Sequence, residues 1–127
     1  MMKIFVDPSE YVEINLYIGE ENGMVVCFSD EEEAKKAFKE NDYESHWVRF
    51  DKPSYGHTLK IQELTFNFDD GKTSFDPISF RNHRCSVLLK DWSFVDENNN
   101  KVPATAENME NMNETVAQSI LLELDGI

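Results

Sequence analysis

Cysteine is scarce in this chain, and long apolar runs are missing from it. Only two cysteines occur among the 127 residues, Cys27 and Cys85, and each stands beside apolar residues. Because they are few and far apart, the sequence predicts two buried free thiols rather than a disulfide. No apolar segment approaches the roughly 18 residues that a membrane span needs, and no signal peptide or lipidation motif is evident. We therefore expect the protein to act in the cytoplasm of the cell that makes it.

Basic residues are also few. The chain has 12 Lys and Arg against 25 Asp and Glu, which gives a formal net charge of -13 and a pI near 4.5. Bare nucleic acid and anionic membranes would repel such a chain, so the charge favours basic or apolar protein partners. Two other interpretations stay open. The acids can imitate the phosphates of a nucleic acid, or they can simply keep the protein soluble.

The residue groupings that carry catalysis or bind metals are missing as well. The three histidines, His46, His57 and His83, have no second His or Cys at the spacing of a metal site. No glycine-rich phosphate loop and no G-x-S-x-G motif occurs. The run DDGK at residues 69–72 lacks the alternating oxygen ligands and the closing Glu of a calcium loop. The sequence predicts no catalytic, metal-binding or cofactor-binding residue, no cofactor, and a protein that is not an enzyme.

The chain is rich in apolar residues, since 40% of its residues are hydrophobic and 12% are aromatic. This is enough to bury a core, so we expect residues 1–127 to form a single domain. The first part, residues 1–53, is rich in strand patterns. They predict strands at Tyr11–Ile18, Met24–Phe28 and Tyr43–Asp51, a turn at Gly19–Gly23, and a helix at Asp30–Glu40. Ser29, with Glu32 three residues later, has the pattern of a capping box for that helix.

The second part, residues 54–127, has mainly helical patterns. After the candidate cap Ser54 we favour a helix that continues through Lys60–Phe68, although alternating apolar residues there also permit a strand. Further helices are predicted at Pro77–Asp91, at Glu107–Glu110 and from Asn113 to Gly126, with Asp76, Thr105 and Asn113 as caps and a turn at Asp96–Asn100. The sequence thus predicts an α+β fold. An N-terminal antiparallel sheet of about three strands with one helix precedes a mainly helical C-terminal half.

Several apolar side chains are candidates for binding a partner protein. Trp92 is better explained as core, whereas Trp47 and Tyr55 fit either a core or a protein-binding patch. Methionine side chains are adaptable, and an apolar helix face suits a helical partner. The predicted partner-binding residues are Trp47, Tyr55, Met109, Met112, Val116, Ile120, Leu121 and Leu124.

Two segments together resemble one protein family. The first is WVRFDKPSYG at residues 47–56, and the second is DWSFVDENNNKVPATAEN at residues 91–108, followed by the terminal apolar helix. Both are similar to segments of the small tail assembly chaperones of long-tailed bacteriophages. The likeness covers about the second two-thirds of the chain. It departs from the family at Asn98–Asn100, where a Gly is commonly expected, and Asn tolerates a positive φ well enough to replace it.

The resemblance implies an assembly factor of the host cell cytoplasm. Such proteins bind the tape measure protein and help recruit tail tube subunits around it, so these two proteins are the expected partners. Neither nucleic acid nor membrane is expected as a partner, and a homo-oligomer is possible. Two alternatives from other classes stay open: an acidic inhibitor of a host defence enzyme that imitates nucleic acid, and a structural component of the virion tail or connector.

Overall fold

The computed structural model describes residues 2–39, 42–69 and 72–127 of the chain. These residues form, in order, β1 (Tyr11–Glu21), β2 (Met24–Phe28), α1 (Glu31–Phe38), β3 (Glu44–Asp51), α2 (Tyr55–Thr65), β4 (Asn67–Asp69), β5 (Lys72–Ser74), α3 (Pro77–Leu88), β6 (Leu89–Trp92), α4 (Ala106–Glu110) and α5 (Glu114–Asp125). An antiparallel sheet of four strands and helices spread along the chain confirm the predicted α+β class.

The sheet has the strand order β2-β1-β3-β6, and each neighbouring pair is antiparallel. The three predicted N-terminal strands are present, but β1 continues to Glu21, beyond its predicted end at Ile18. Only Asn22 and Gly23 are needed to reverse the chain. Their φ angles of 53° and 79° are those of the type I′ turn, whose twist matches the strands that it joins. The turn predicted at Gly19–Gly23 is therefore shorter than expected.

The fourth strand comes from the C-terminal half and is absent from the sequence-based prediction. α3 ends at Leu88 rather than near Asp91, and β6 follows it directly. β6 pairs with β3, so that Val48 stands opposite Trp92. The local spacing of apolar residues fits one continuous helix. The edge of β3, however, offers hydrogen-bond partners that only the folded chain brings within reach.

In the described part of the chain, each helix begins at a side chain that accepts a hydrogen bond from a backbone N–H of the first turn. These caps are Asp30, Ser54, Asp76, Thr105 and Asn113. The last four were expected. At α1 the predicted cap Ser29 is wrong, because Asp30 Oδ1 accepts from Glu32 N at 3.0 Å. α1 ends at Phe38, and its predicted end at Glu40 lies outside the described residues. None of the described helices is long and apolar enough to cross a membrane.

The stretch Lys60–Phe68, for which both helix and strand were open, is helix in its first part and strand in its last part. α2 continues to Thr65, which confirms the favoured helix over most of the stretch. Beyond it, β4 pairs with β5 in a short antiparallel ribbon. The DDGK run at residues 69–72 includes residues 70 and 71, which lie outside the described residues.

The inner face of the sheet and α5 form most of the core. Its buried residues are Ile14, Leu16, Val48, Phe50 and Trp92 from the sheet, Cys85 and Leu88 from α3, and Val116, Ile120 and Leu124 from α5. Trp92 is 1% exposed, and its Nε1 donates to the carbonyl oxygen of Val102 at 2.6 Å, which confirms its predicted place in the core. Ile78 in the first turn of α3 is 73% exposed, so α3 contributes to the core only further along the helix. Both thiols are free, but Cys27 is only half-buried.

α1 covers one end of the outer face of the sheet. Its Phe38 is fully buried, and the Phe38 ring centroid lies 5.5 Å from that of Phe28 and 5.6 Å from that of Tyr43. A Cβ atom at Gly19 would come within 2.6 Å of the Phe38 ring, so the ring rests directly on the backbone of β1. Away from α1 this face is open, and Tyr11 is 47% exposed.

Candidate protein-binding cleft

A cleft of about 530 Å³ opens where α3, α4 and α5 meet. Apolar side chains from these helices and from the neighbouring segments line it, among them Cys85, Leu89, Met109, Met112, Ala117 and Leu121. Asn82, Ser86 and Glu110 add polar groups to the lining. A mainly apolar hollow with a few polar groups is the usual form of a binding site.

The short helix α4 places Met109 against the cleft. Thr105 Oγ1 accepts from Asn108 N at 3.1 Å, and Asn108 Nδ2 donates to the carbonyl oxygen of Pro103 at 2.8 Å. These two bonds tie the first turn of α4 to the loop before it. Met109 then meets α3, where Cys85 Sγ donates to Met109 Sδ at 3.4 Å.

Cys85 supplies an uncharged thiol to the buried side of the cleft. The residue is 4% exposed, and burial raises the pKa of its thiol to about 11 against a smaller opposing effect of the Arg81 charge. A thiol with this pKa is protonated at neutral pH and is a weak nucleophile. It can therefore donate to the Met109 thioether, and it brings no charge to the cleft.

Two arginines of α3 hold the C-terminal end of α5. Arg84 Nη1 donates to the carbonyl oxygen of Leu124 at 2.7 Å, and Arg84 Nη2 donates to that of Ile127 at 3.0 Å. Arg81 Nη2 lies 3.0 Å from Asp125 Oδ2, but it is not aligned for a hydrogen bond. The last carbonyls of a helix have no partner within the helix and carry partial negative charge, so a guanidinium stabilises them. These contacts hold α5, and thus one side of the cleft, in place against α3.

The lining of the cleft suits apolar side chains of another protein. Methionine is unbranched and polarisable, so Met109 and Met112 can adjust to side chains of different shape. Met112 also lines a second hollow of about 450 Å³ that is bordered by Trp92, Phe94 and Val102. A change in the rotamer of Met112 therefore changes both hollows. Grooves of this kind take the apolar face of an amphipathic helix.

The structure brings only part of the predicted partner-binding set together. Met109, Met112 and Leu121 all line the cleft. Val116, Ile120 and Leu124 instead lie inside the chain's own core, with exposed fractions of 5%, 0% and 0%. Ile120 and Leu124 are fully enclosed by the chain's own core, which corrects their assignment as partner-binding residues, and Val116 borders only the second hollow. The apolar stripe of α5 indicated that these residues are buried. It did not show whether a partner protein or the sheet of the same chain buries them.

Trp47 and Tyr55 lie away from the cleft. Trp47 is half-buried on the outer face of the sheet, where the Arg49 guanidinium carbon lies 4.0 Å from its ring centroid and 4.6 Å from that of Tyr11. Arg49 Nε also donates to Glu13 Oε1 at 2.9 Å. One face of the Trp47 ring is thus occupied by a cation of the chain itself. Tyr55, in the first turn of α2, is 76% exposed.

Leu89, Ala106 and Ala117 are among the lining residues of the cleft that are absent from the predicted partner-binding set. Leu89 was missed because the sequence predicts that it belongs to the helix α3, whereas it is the first residue of β6. The two alanines carry no chemical signal, and they matter because their small side chains leave space. The caps Thr105 and Asn113 lie only eight residues apart in the sequence, and this spacing is a signal from which a corner between two helices could have been inferred. Such a corner is where a hollow can form.

His57 and His83 serve local structure. His57 Nδ1 accepts from Ser54 N at 3.1 Å, and Ser54 Oγ accepts from His57 N at 3.4 Å, which is a reciprocal cap at the start of α2. His57 Nε2 lies 3.6 Å from Asp51 Oδ2, and Ser54 Oγ lies 2.9 Å from Nδ1, so these three residues are spaced as in a catalytic triad. The single lone pair of Nδ1 already accepts the Ser54 N–H, however, and a cap explains the geometry. His83 Nδ1 lies 3.2 Å from Thr65 Oγ1 and joins α3 to α2.

Among the described residues, no group of three His, Cys, Asp or Glu side chains could hold a metal ion. Comparison with known proteins gives no match to a family model, to a curated protein or to a solved structure. The interpretation of the cleft therefore rests on its own geometry and chemistry.

Proposed function

We propose that this protein is a tail assembly chaperone of a long-tailed bacteriophage. In this proposal it acts in the host cytoplasm, binds helical segments of the tape measure protein through the cleft, and helps recruit tail tube subunits. The observation that carries the proposal is the cleft between α3, α4 and α5, with Met109, Met112 and Leu121 in its lining. The likeness of residues 47–56 and 91–108 to that family supplies the identity of the partner.

The physical argument is that the cleft offers a mainly apolar surface, with Glu110 as a charged group in its lining. A long helical protein that is not yet assembled exposes apolar residues, and covering them in turn prevents aggregation. Adaptable methionines permit binding to several helical segments of unequal sequence. The net charge of -13 keeps the loaded chaperone in solution and attracts basic residues that flank an apolar helix face.

Co-expression with the tape measure protein tests the proposal. The tape measure protein should be soluble and co-purify when the chain is present, and it should aggregate when the chain is absent. Leu121→Asp places a charge in the cleft and should reduce the affinity by about tenfold or more, since a central apolar contact contributes over about 1 kcal/mol. Met109→Gln, which keeps the length of the side chain but removes the thioether, should act in the same direction.

Leu122→Asp is the matched control for Leu121→Asp. Leu122 is the next residue of α5 and is 65% exposed, so a charge there leaves the cleft unchanged. Thermal unfolding of each variant shows whether the fold is retained. Equal binding by the two leucine variants, or no co-purification by the wild type, would contradict the proposal. A chaperone also leaves the finished tail, so finding the chain in purified virions by mass spectrometry would instead indicate a structural component.

A further inference from the structure

β2 is the edge strand at one end of the sheet. It pairs with β1 on one side only. Glu21 and Met24 close the two-residue turn and form a hydrogen-bonded pair, and such pairs alternate along the ladder from that point. Val25 and Cys27 therefore direct their N–H and C=O groups away from β1. No hydrogen bond to these four groups is formed within the part of the chain that the structure describes.

β2 also has none of the features that prevent sheet edges from pairing. Its sequence, MVVCF, contains no charged residue and no proline, and no bulge interrupts its register with β1. The other edge of the sheet is different. β6 is only four residues long, contains Lys90 and Asp91, and has a shift in register against β3. One edge is thus protected, and the other is ready to accept a strand.

The unpaired groups of β2 are symmetric about Val26. When two β2 strands lie antiparallel and centred there, Val25 of each copy stands opposite Cys27 of the other. Each of these pairs exchanges two hydrogen bonds, so all the outward groups of Val25 and Cys27 are satisfied in both copies. In the same register Met24, which is 71% exposed, stands opposite Phe28 of the second copy. The edge is therefore complementary to itself.

We propose that this protein forms a homodimer in which β2 pairs antiparallel with β2 of a second copy, centred on Val26, so that one sheet runs through both copies. Such a contact is closed by its two-fold symmetry, so the assembly ends at two copies. Each copy carries a net charge of -13, and the two therefore repel each other. The dimer is expected to strengthen as salt screens that repulsion, which is the opposite of a complex held by charge.

Analytical ultracentrifugation of the full chain at low and high NaCl tests the dimer. At high salt and increasing concentration the wild type should reach twice its mass of 14.8 kDa. Val25→Pro removes an outward N–H but leaves the ladder with β1 intact, so it should remain monomeric. Val25→Ala keeps that N–H and should dimerise like the wild type. A wild type that stays monomeric at high salt, or a Val25→Pro variant that dimerises equally well, would overturn the proposal.

A cross-link tests the register and does not depend on the proline variant. Val25→Cys places a thiol opposite Cys27 of the second copy, with the Cα atoms about 5.5 Å apart, a separation that a disulfide spans. Oxidised glutathione should convert this variant to a covalent dimer that dithiothreitol reverses. The double variant Val25→Cys with Cys27→Ser should not cross-link, because its thiols are offset along the strands. Failure of the single variant to cross-link, or equal cross-linking of the double variant, would refute the register.

Discussion

Gly19 is a residue at which α1 packs directly on the backbone of the sheet. The Phe38 ring is fully buried there and has aromatic neighbours in Phe28 and Tyr43. The ring is enclosed on several sides and cannot move without disturbing other aromatic contacts. α1 can therefore keep its position only because Gly19 has a hydrogen atom where other residues have a side chain.

Gly19→Ala is therefore expected to lower the free energy of unfolding by about 1–3 kcal/mol, which is typical of overpacking. The added Cβ would lie 2.6 Å from Phe38 Cε1, and either the ring or the strand must shift. Gly56→Ala is the matched control, because its nearest atom, Ser54 Oγ, is 3.7 Å away. That change should leave stability equal or raise it by about 0.4–1 kcal/mol. Urea unfolding followed by circular dichroism measures both, and equal midpoints for the two variants would show that Phe38 does not pack as described.

At the scale of elements, the position of α5 depends on contacts at both of its ends. Asn113 Oδ1 accepts from Thr115 N at 3.0 Å at its start, and Arg84 donates to two carbonyls at its end. Between these ends the core residues of α5 fix which face meets the sheet. The ends therefore decide how firmly Leu121 is held beside the cleft.

Arg84→Ala should lower the free energy of unfolding by about 1–2 kcal/mol, because two hydrogen bonds from a charged donor to the carbonyl oxygens of Leu124 and Ile127 are lost. Amide hydrogen exchange in the last turn of α5 should become faster than in its first turn. Lys101→Ala is a suitable control, since its ion pair with Asp91 Oδ1 at 2.9 Å is largely exposed and contributes little. Unchanged exchange in the last turn would mean that Arg84 does not hold α5.

The elements that could be predicted are those decided by a few neighbouring residues. Ser54, Asp76, Thr105 and Asn113 cap helices because each side chain reaches an N–H only two or three residues away. β6 could not be predicted in this way. Its four residues become a strand because β3 is beside them in the fold, and that neighbour is distant in sequence.

The cleft could be predicted only in part, for the same reason. Met109, Met112 and Leu121 follow from composition and from the apolar face of the last helix. The periodicity of α5 gave the same weight to Val116 and Ile120, which the sheet buries. Separating the two groups requires knowledge of where the sheet lies against α5. A helical stripe identifies buried residues, and only the packing shows which residues at its margin remain accessible.

At the scale of the whole molecule, the few cations are largely paired within the chain. Lys35 lies near Glu31 and Glu32, and other ion pairs join Arg49 to Glu13, Lys52 to Glu10, Lys90 to Asp51 and Lys101 to Asp91. The chain has 25 acidic and only 12 basic residues, so acidic side chains remain in excess after these pairs are formed. The excess negative charge therefore acts on the fold itself and on every approaching molecule.

This excess predicts that salt stabilises the monomer. Like charges repel over the Debye length, which falls from about 30 Å at 0.01 M to about 3 Å at 1 M salt, so the repulsion within the folded chain fades as salt is added. The exposed ion pairs weaken too, but each contributes little. The urea midpoint should therefore rise with NaCl. Dilute Val25→Pro protein is the sample of choice, because it separates this effect from dimerisation. KCl at equal ionic strength should act alike, and a midpoint that falls with both salts would mean that the ion pairs outweigh the net charge of -13.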